Sequence, residues 1–188
     1  MKVCAFLIPC LLFVGTACSK KAPELAHPAT IKDIMDSMVD PNGDFLFESV
    51  QQIADEHGIR EKAPHTTEDW KEVRRHIFVL LEAPNLLTME GRKVAQAGDR
   101  SRNPRIENEP ELIESLIDAD RAGFLRRARR LQEAAAEAMQ AADAKDKDAL
   151  FRAIGRIDKA CENCHLHYWY PNDKRAQQAA IEEGITDE

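Results

Sequence analysis

The chain has 188 residues, 44% hydrophobic and 31% charged, with a net charge of −7. That length suits one domain with a real core, the apolar share excludes a disordered polymer, and the acidic balance argues against nucleic acid as a partner. Seven Phe, two Trp and two Tyr are few aromatics for such a core. The Ala, Leu, Glu, Arg and Lys that dominate the second half favour helix, which excludes an all-β fold.

Residues 1–17 open on Met1 and Lys2, continue as an apolar run from Val3 to Val14, and end on the small residues Gly15-Thr16-Ala17. This is the layout of a signal peptide. Cys18 follows directly, and Gly15-Thr16-Ala17-Cys18 resembles a bacterial lipobox, so Cys18 is the expected lipidated first residue of the mature chain. A plain secretory signal, or an uncleaved anchor short for a bilayer, is the alternative. The lipobox reading puts the protein on the periplasmic side of a bacterial membrane, held there by its lipid. Cleavage would remove Cys4, Cys10, Phe6, Phe13 and one lysine but no acid, leaving the mature chain more negative still. Residues 18–29, with two prolines and no periodicity, read as a tether.

A helical period begins at Thr30 and carries Ile31, Ile34, Met35, Met38, Val39, Phe45, Leu46, Val50 and Ile53. It runs on both sides of Asp40-Pro41-Asn42-Gly43, so one kinked helix or two pieces share a face, with Pro41 at the break. Residues 57–66 read as a loop. A second helix starts at Thr66 or Thr67, carries Trp70, Val73, Ile77, Leu80 and Leu81, and should end or kink at Pro84. Asn85 to Arg92 continue as a short piece, and residues 93–109 read as a long exposed connection. Pro110-Glu111 opens a third helix that reaches about Ala144 through Leu112, Leu116, Phe124, Leu131, Ala135 and Met139. Asp146 caps a fourth helix, which runs from Lys147 through Leu150, Ile154 and Ile157 toward Tyr168. Residues 171–188 form a polar tail. The prediction is an all-α four-helix bundle over residues 30–170.

Cys161-Glu162-Asn163-Cys164-His165 is a CxxCH sequence late in the fourth helix. Thiols three residues apart on a helix point to nearly the same side, where each can add to a vinyl group of one haem c, and His165 can turn toward the iron as an axial ligand. Zinc would need a further Cys or His pair, and the mature chain has no other cysteine but Cys18. A redox dithiol would sit at a helix N-terminus after a strand. A structural disulfide is the remaining alternative. Export favours haem, which is attached outside the bacterial cytoplasm.

A chain of four helices with CxxCH near its end resembles the class II c-type cytochromes, the cytochrome c-prime type. Three stretches carry the likeness: Asp33-Ile34-Met35-Asp36-Ser37-Met38-Val39-Asp40-Pro41; Trp70 to Arg74 leading to Asn85 to Arg92; and Ala142 to Asp148 leading to Ala160 to His165. The resemblance implies an antiparallel four-helix bundle with one covalently attached haem, and pairing of two copies through the first two helices. Such proteins commonly place a basic residue shortly after the haem histidine, whereas this chain has His167, Tyr168, Trp169 and Tyr170 there.

The sixth ligand decides the chemistry, because a thioether or imidazole makes an electron carrier and an apolar residue leaves a site for gases. The resemblance implies Met35, on the first helix, with Met38 as the other candidate; both also fit as flexible core fillers. Met89 would serve only if its segment folded back over the haem. His76 reads as a boundary residue, His27, His57 and His65 fall in tether or loop, and His167 stands two past the ligand, within reach of the haem edge. Arg121, Arg126, Arg127, Arg129 and Arg130 read as a solvated basic face balanced by Glu133 and Glu137, with docking to a redox partner or contact with haem propionates as the sharper alternatives. The expectation is a mono-haem electron carrier with His/Met ligation, not an enzyme, that meets an unidentified periplasmic redox partner. A five-coordinate module for NO or CO is the alternative.

Overall fold

The computed structural model describes residues 27–56 and 58–185. Residues 1–17, expected to be a signal peptide, together with Cys18 and most of the expected tether, lie outside the described residues. The chain is an all-α bundle built from α1 (Ile31–Ile34), a π turn (Met35–Val39), α2 (Asp40–Ser49), α3 (Thr67–Leu87), α4 (Pro110–Ala119), α5 (Arg121–Ala144), α6 (Lys147–Tyr168) and α7 (Lys174–Glu183). A small hairpin, β1 (Gln51–Asp55) and β2 (Gly58–Lys62), projects from it.

Helix starts follow the sequence closely. Thr66 caps α3 in a box with Asp69, Thr30 does the same for α1 with Asp33, and Asp146 accepts from the first turn of α6. Pro110 sits in the first turn of α4, where its missing N–H costs nothing. Helix α5 packs against both α3 and α6, and α2 packs against α3. Buried Ala128, Ala134, Ala135, Ala138, Ala141 and Ala142 give α5 a small-residue face that lets its neighbours approach closely. Leu46, Val73, Ile77, Leu80, Leu150 and Ile157 fill the centre, each worth about 1.5–3 kcal/mol of burial.

Five local expectations are corrected. Pro41 does not break the first helix: the helix runs through it, with the wider π turn just before it. Ile53 belongs to the hairpin rather than to a helix, and half of the segment expected to be a loop after it is the second strand, paired from Gln51↔Lys62 to Asp55↔Gly58. Gly58 makes that tight reversal with φ at +115°, a value glycine adopts freely. Pro84 neither ends α3 nor stops it short of Leu87. The expected third helix is two, because Asp120 leaves helical geometry and caps α5 through Gly123 N–H.

The fifth correction concerns residues 93–109, which act as a brace. The Ile31 and Lys32 N–H groups donate to the carbonyls of Lys93 and Val94, both at 2.9 Å. Together with Asp33 N–H to Thr30 Oγ1 and Ile34 N–H to the Thr30 carbonyl, this satisfies the whole open end of α1. Gln96 donates to the Asp33 carboxylate, and Val94 is buried. At the far end of the same segment, Asn108 donates from its backbone to the Trp169 carbonyl at 2.7 Å and from its side chain to the Tyr168 carbonyl at 2.9 Å.

Candidate haem site

The brace matters because the two ends it holds, α1 and the close of α6, face each other across one cleft. That cleft encloses a cavity of about 70 Å³ and opens to solvent at its mouth. Met35 reaches it from the π turn, and Cys161, Cys164 and His165 reach it from α6. Ile113, Ile117, Phe124 and Leu131 supply apolar wall from α4 and α5, and Trp169 closes the end of α6.

Spacing explains the α6 edge. Cys161 and Cys164 lie one turn apart, both as free thiols in the cleft wall, and His165 follows on the same side. Burial pushes the Cys161 thiol up to about 12 and that of Cys164 up to about 11. A redox dithiol needs the opposite shift. Among the described residues no group of three or more His, Cys, Asp or Glu side chains is placed to hold a metal ion.

Burial alone lowers His165 to about 4, so its ring is neutral at neutral pH. Its Nδ1 lies 3.2 Å from the Tyr170 hydroxyl, which in turn donates to Glu162 Oε2 at 2.8 Å. Tyr170 gets there because the chain folds back after α6: the Trp169 and Tyr170 N–H groups both donate to the His165 carbonyl.

The other expected residues sort themselves by place. Met38 is half-buried against the core and does not line the cleft, and Met89 lines a separate groove with Arg92 and Arg121. His167 is exposed and packs edge-on against Tyr168. Arg126 and Arg129 are exposed, as expected of a solvated face. Arg127 departs from it: the residue is buried, its guanidinium lies over the Tyr168 ring at 5.6 Å, and among the described residues it is the one Lys or Arg in the cleft wall. It stands three residues after Phe124 and four before Leu131, on the apolar face of the helix, and this was the available signal.

Two thiols, an imidazole and a thioether thus share an apolar cleft with a single guanidinium. This donor set fits a covalently attached haem, whose flat apolar body also explains how so few aromatics fill the core. The family model described as Cytochrome C' matches residues 113–169, from α4 through the CxxCH motif to Trp169. Over that stretch the chain is similar to the class II c-type cytochromes, the cytochrome c-prime type. No curated protein and no solved structure matches it. Cytochromes of this family carry c-type haem and serve as electron carriers or ligand-binding haem proteins. The matched stretch contains Cys161, Cys164 and His165, while Met35 precedes it.

Proposed function

We propose that the protein is an exported mono-haem c-type cytochrome that passes single electrons at an iron held between His165 and Met35. The observation that supports this most is that Met35 lines the same cleft as Cys161, Cys164 and His165, whereas Met38 and Met89 stand outside it. Haem c bound there would supply a one-electron couple. Cys161 and Cys164 would hold it by thioether bonds, and His165 would present its neutral Nε2. Met35 would offer a thioether, which raises the potential relative to a second imidazole. The walls from α4 and α5 keep water away, and Arg127 offers a cation to the propionates. The reading is a carrier and not an enzyme.

Residues 1–17 as a signal peptide and Cys18 as a lipid attachment site would hold the protein on the periplasmic face of a membrane, where a redox partner could dock. Cys18→Ser should then release it from membranes into the periplasmic fraction.

The test is the spectrum of protein expressed with the haem-attachment machinery. A low-spin spectrum, with a methionine-to-iron charge-transfer band when oxidised that Met35→Ala abolishes, supports the reading. A high-spin spectrum that responds to carbon monoxide or nitric oxide in the native protein would overturn it in favour of a gas-binding module. An intact mass lacking a haem increment would overturn both.

A further inference from the structure

We infer that Tyr170 and Glu162 form a hydrogen-bond relay that loads electron density onto His165 and so lowers the potential of the haem it holds. The inference rests on the reading of His165 as an iron ligand. Its own basis is the chain of contacts behind the imidazole. The Tyr170 hydroxyl has one proton, and it points at the Glu162 carboxylate, 2.8 Å away. The phenol oxygen can then only accept from the ring nitrogen 3.2 Å away, so Nδ1 carries the hydrogen and Nε2 presents its lone pair to the cleft. A carboxylate at the end of such a chain polarises each link in turn, and the imidazole takes on part of its negative charge.

The relay is set by the backbone that closes α6. Glu162 is the first residue between the two cysteines, and Tyr170 is brought back by its N–H bond to the His165 carbonyl at 3.0 Å. Asn108 fixes the residues just before it through the Tyr168 and Trp169 carbonyls. The phenol ring also meets the imidazole edge-on at 5.5 Å, so it shields the link from water. Where a basic residue would place positive charge behind the haem histidine, this chain instead places a carboxylate acting through a phenol. Tyr170 and Glu162 are positioning residues.

The experiment is a double-mutant cycle on the haem-loaded protein, read by redox titration. Tyr170→Phe keeps the ring and removes the hydroxyl, and its potential should shift positive. Glu162→Gln should shift it in the same direction by less. In the Tyr170→Phe background, Glu162→Gln should have no further effect, because the link that carries its charge is gone. Resonance Raman on the ferrous Met35→Ala background should show the iron–histidine stretch falling in frequency when Tyr170 becomes Phe. Additive shifts would mean that Glu162 acts through space, and unchanged potentials and stretch would mean no relay; either overturns the inference. Failure of the native protein to acquire haem, or a haem spectrum indifferent to His165→Ala, would instead overturn the site reading on which it rests.

Discussion

The side-chain amide of Asn42 donates to the carbonyl oxygen of Met38 at 2.6 Å, one turn back along the same helix. Pro41 brings no N–H to that ladder, and the wide turn from Met35 to Val39 lets its ring clear the preceding carbonyls. The Asn42 carbonyl oxygen meanwhile faces His76 Nδ1 on α3 at 2.7 Å. One amide therefore ties the turn that Met35 opens to α3. Asn42→Ala should cost about 1–2 kcal/mol in chemical unfolding, because it strips a partner from two half-buried groups. In the haem-loaded protein it should also weaken the methionine-to-iron band, since Met35 opens that turn. A native band with a native unfolding midpoint would show that the turn holds its shape alone.

Met38 separates packing from ligation. It is half-buried against the core and off the cleft, so Met38→Ala should cost about 1–2 kcal/mol, below the roughly 2–5 of a fully buried site. The haem spectrum should stay native. A lost charge-transfer band in this variant, with the band kept in Met35→Ala, would exchange the two assignments.

His76 should make stability depend on pH. Burial first, and the charge of Arg75 second, hold its pKa below the usual 6.5. Phe45 stacks on the ring at 3.7 Å, and Glu72 at 3.4 Å from Nε2 does not outweigh this burial. The unfolded chain then takes up a proton at a higher pH than the folded chain does. Stability is therefore full above about pH 6.5, falls below it, and levels off once the folded ring is protonated too. Melting temperatures measured from pH 7.5 to 5 should fall less for His76→Gln than for the native protein. Parallel curves would assign the pH dependence to other groups.

Gly123 is required by its neighbour. Its N–H donates to Asp120 Oδ1 at 2.9 Å, and a Cβ at this position would collide with the same carboxylate. Gly123→Ala should thus cost about 1 kcal/mol through the lost cap, despite alanine's better helix propensity. In the Asp120→Ala background the same change should stabilise by roughly 0.5–1 kcal/mol. If the sign stays the same in both backgrounds, the cap is not the cause.

What could be read from the sequence was what local chemistry writes there. CxxCH gives its spacing directly, Thr66 and Asp146 announce the helices they cap, and period 3.6 puts Ile77, Leu80, Leu150 and Ile157 inward. Pro41 was ambiguous because a proline can end a helix, kink it or be absorbed by a widened turn, and the choice depends on Asn42 and His76 across the bundle. The hairpin was hidden because Ile53 continues the helical period while its strand pairing is set by the reversal at Gly58. Tyr170 stood at the end of the expected bundle without a role, since nothing in its residue type says that the chain turns back toward His165. The contacts of Lys93 and Val94 were unreadable for a deeper reason: they are made by backbone carbonyls, which every residue has.

That last point changes what kind of variation the segment from 93 to 109 can tolerate. Replacing Lys93 or Val94 by another residue leaves their carbonyls in place beneath α1. Adding or removing one residue between there and Asn108 would shift one anchor against the other, and with it the distance between Met35 and the end of α6. The length of this stretch is constrained as well as the side chains of Val94, Gln96 and Asn108, so an insertion or deletion there is the change that would move Met35 relative to the end of α6.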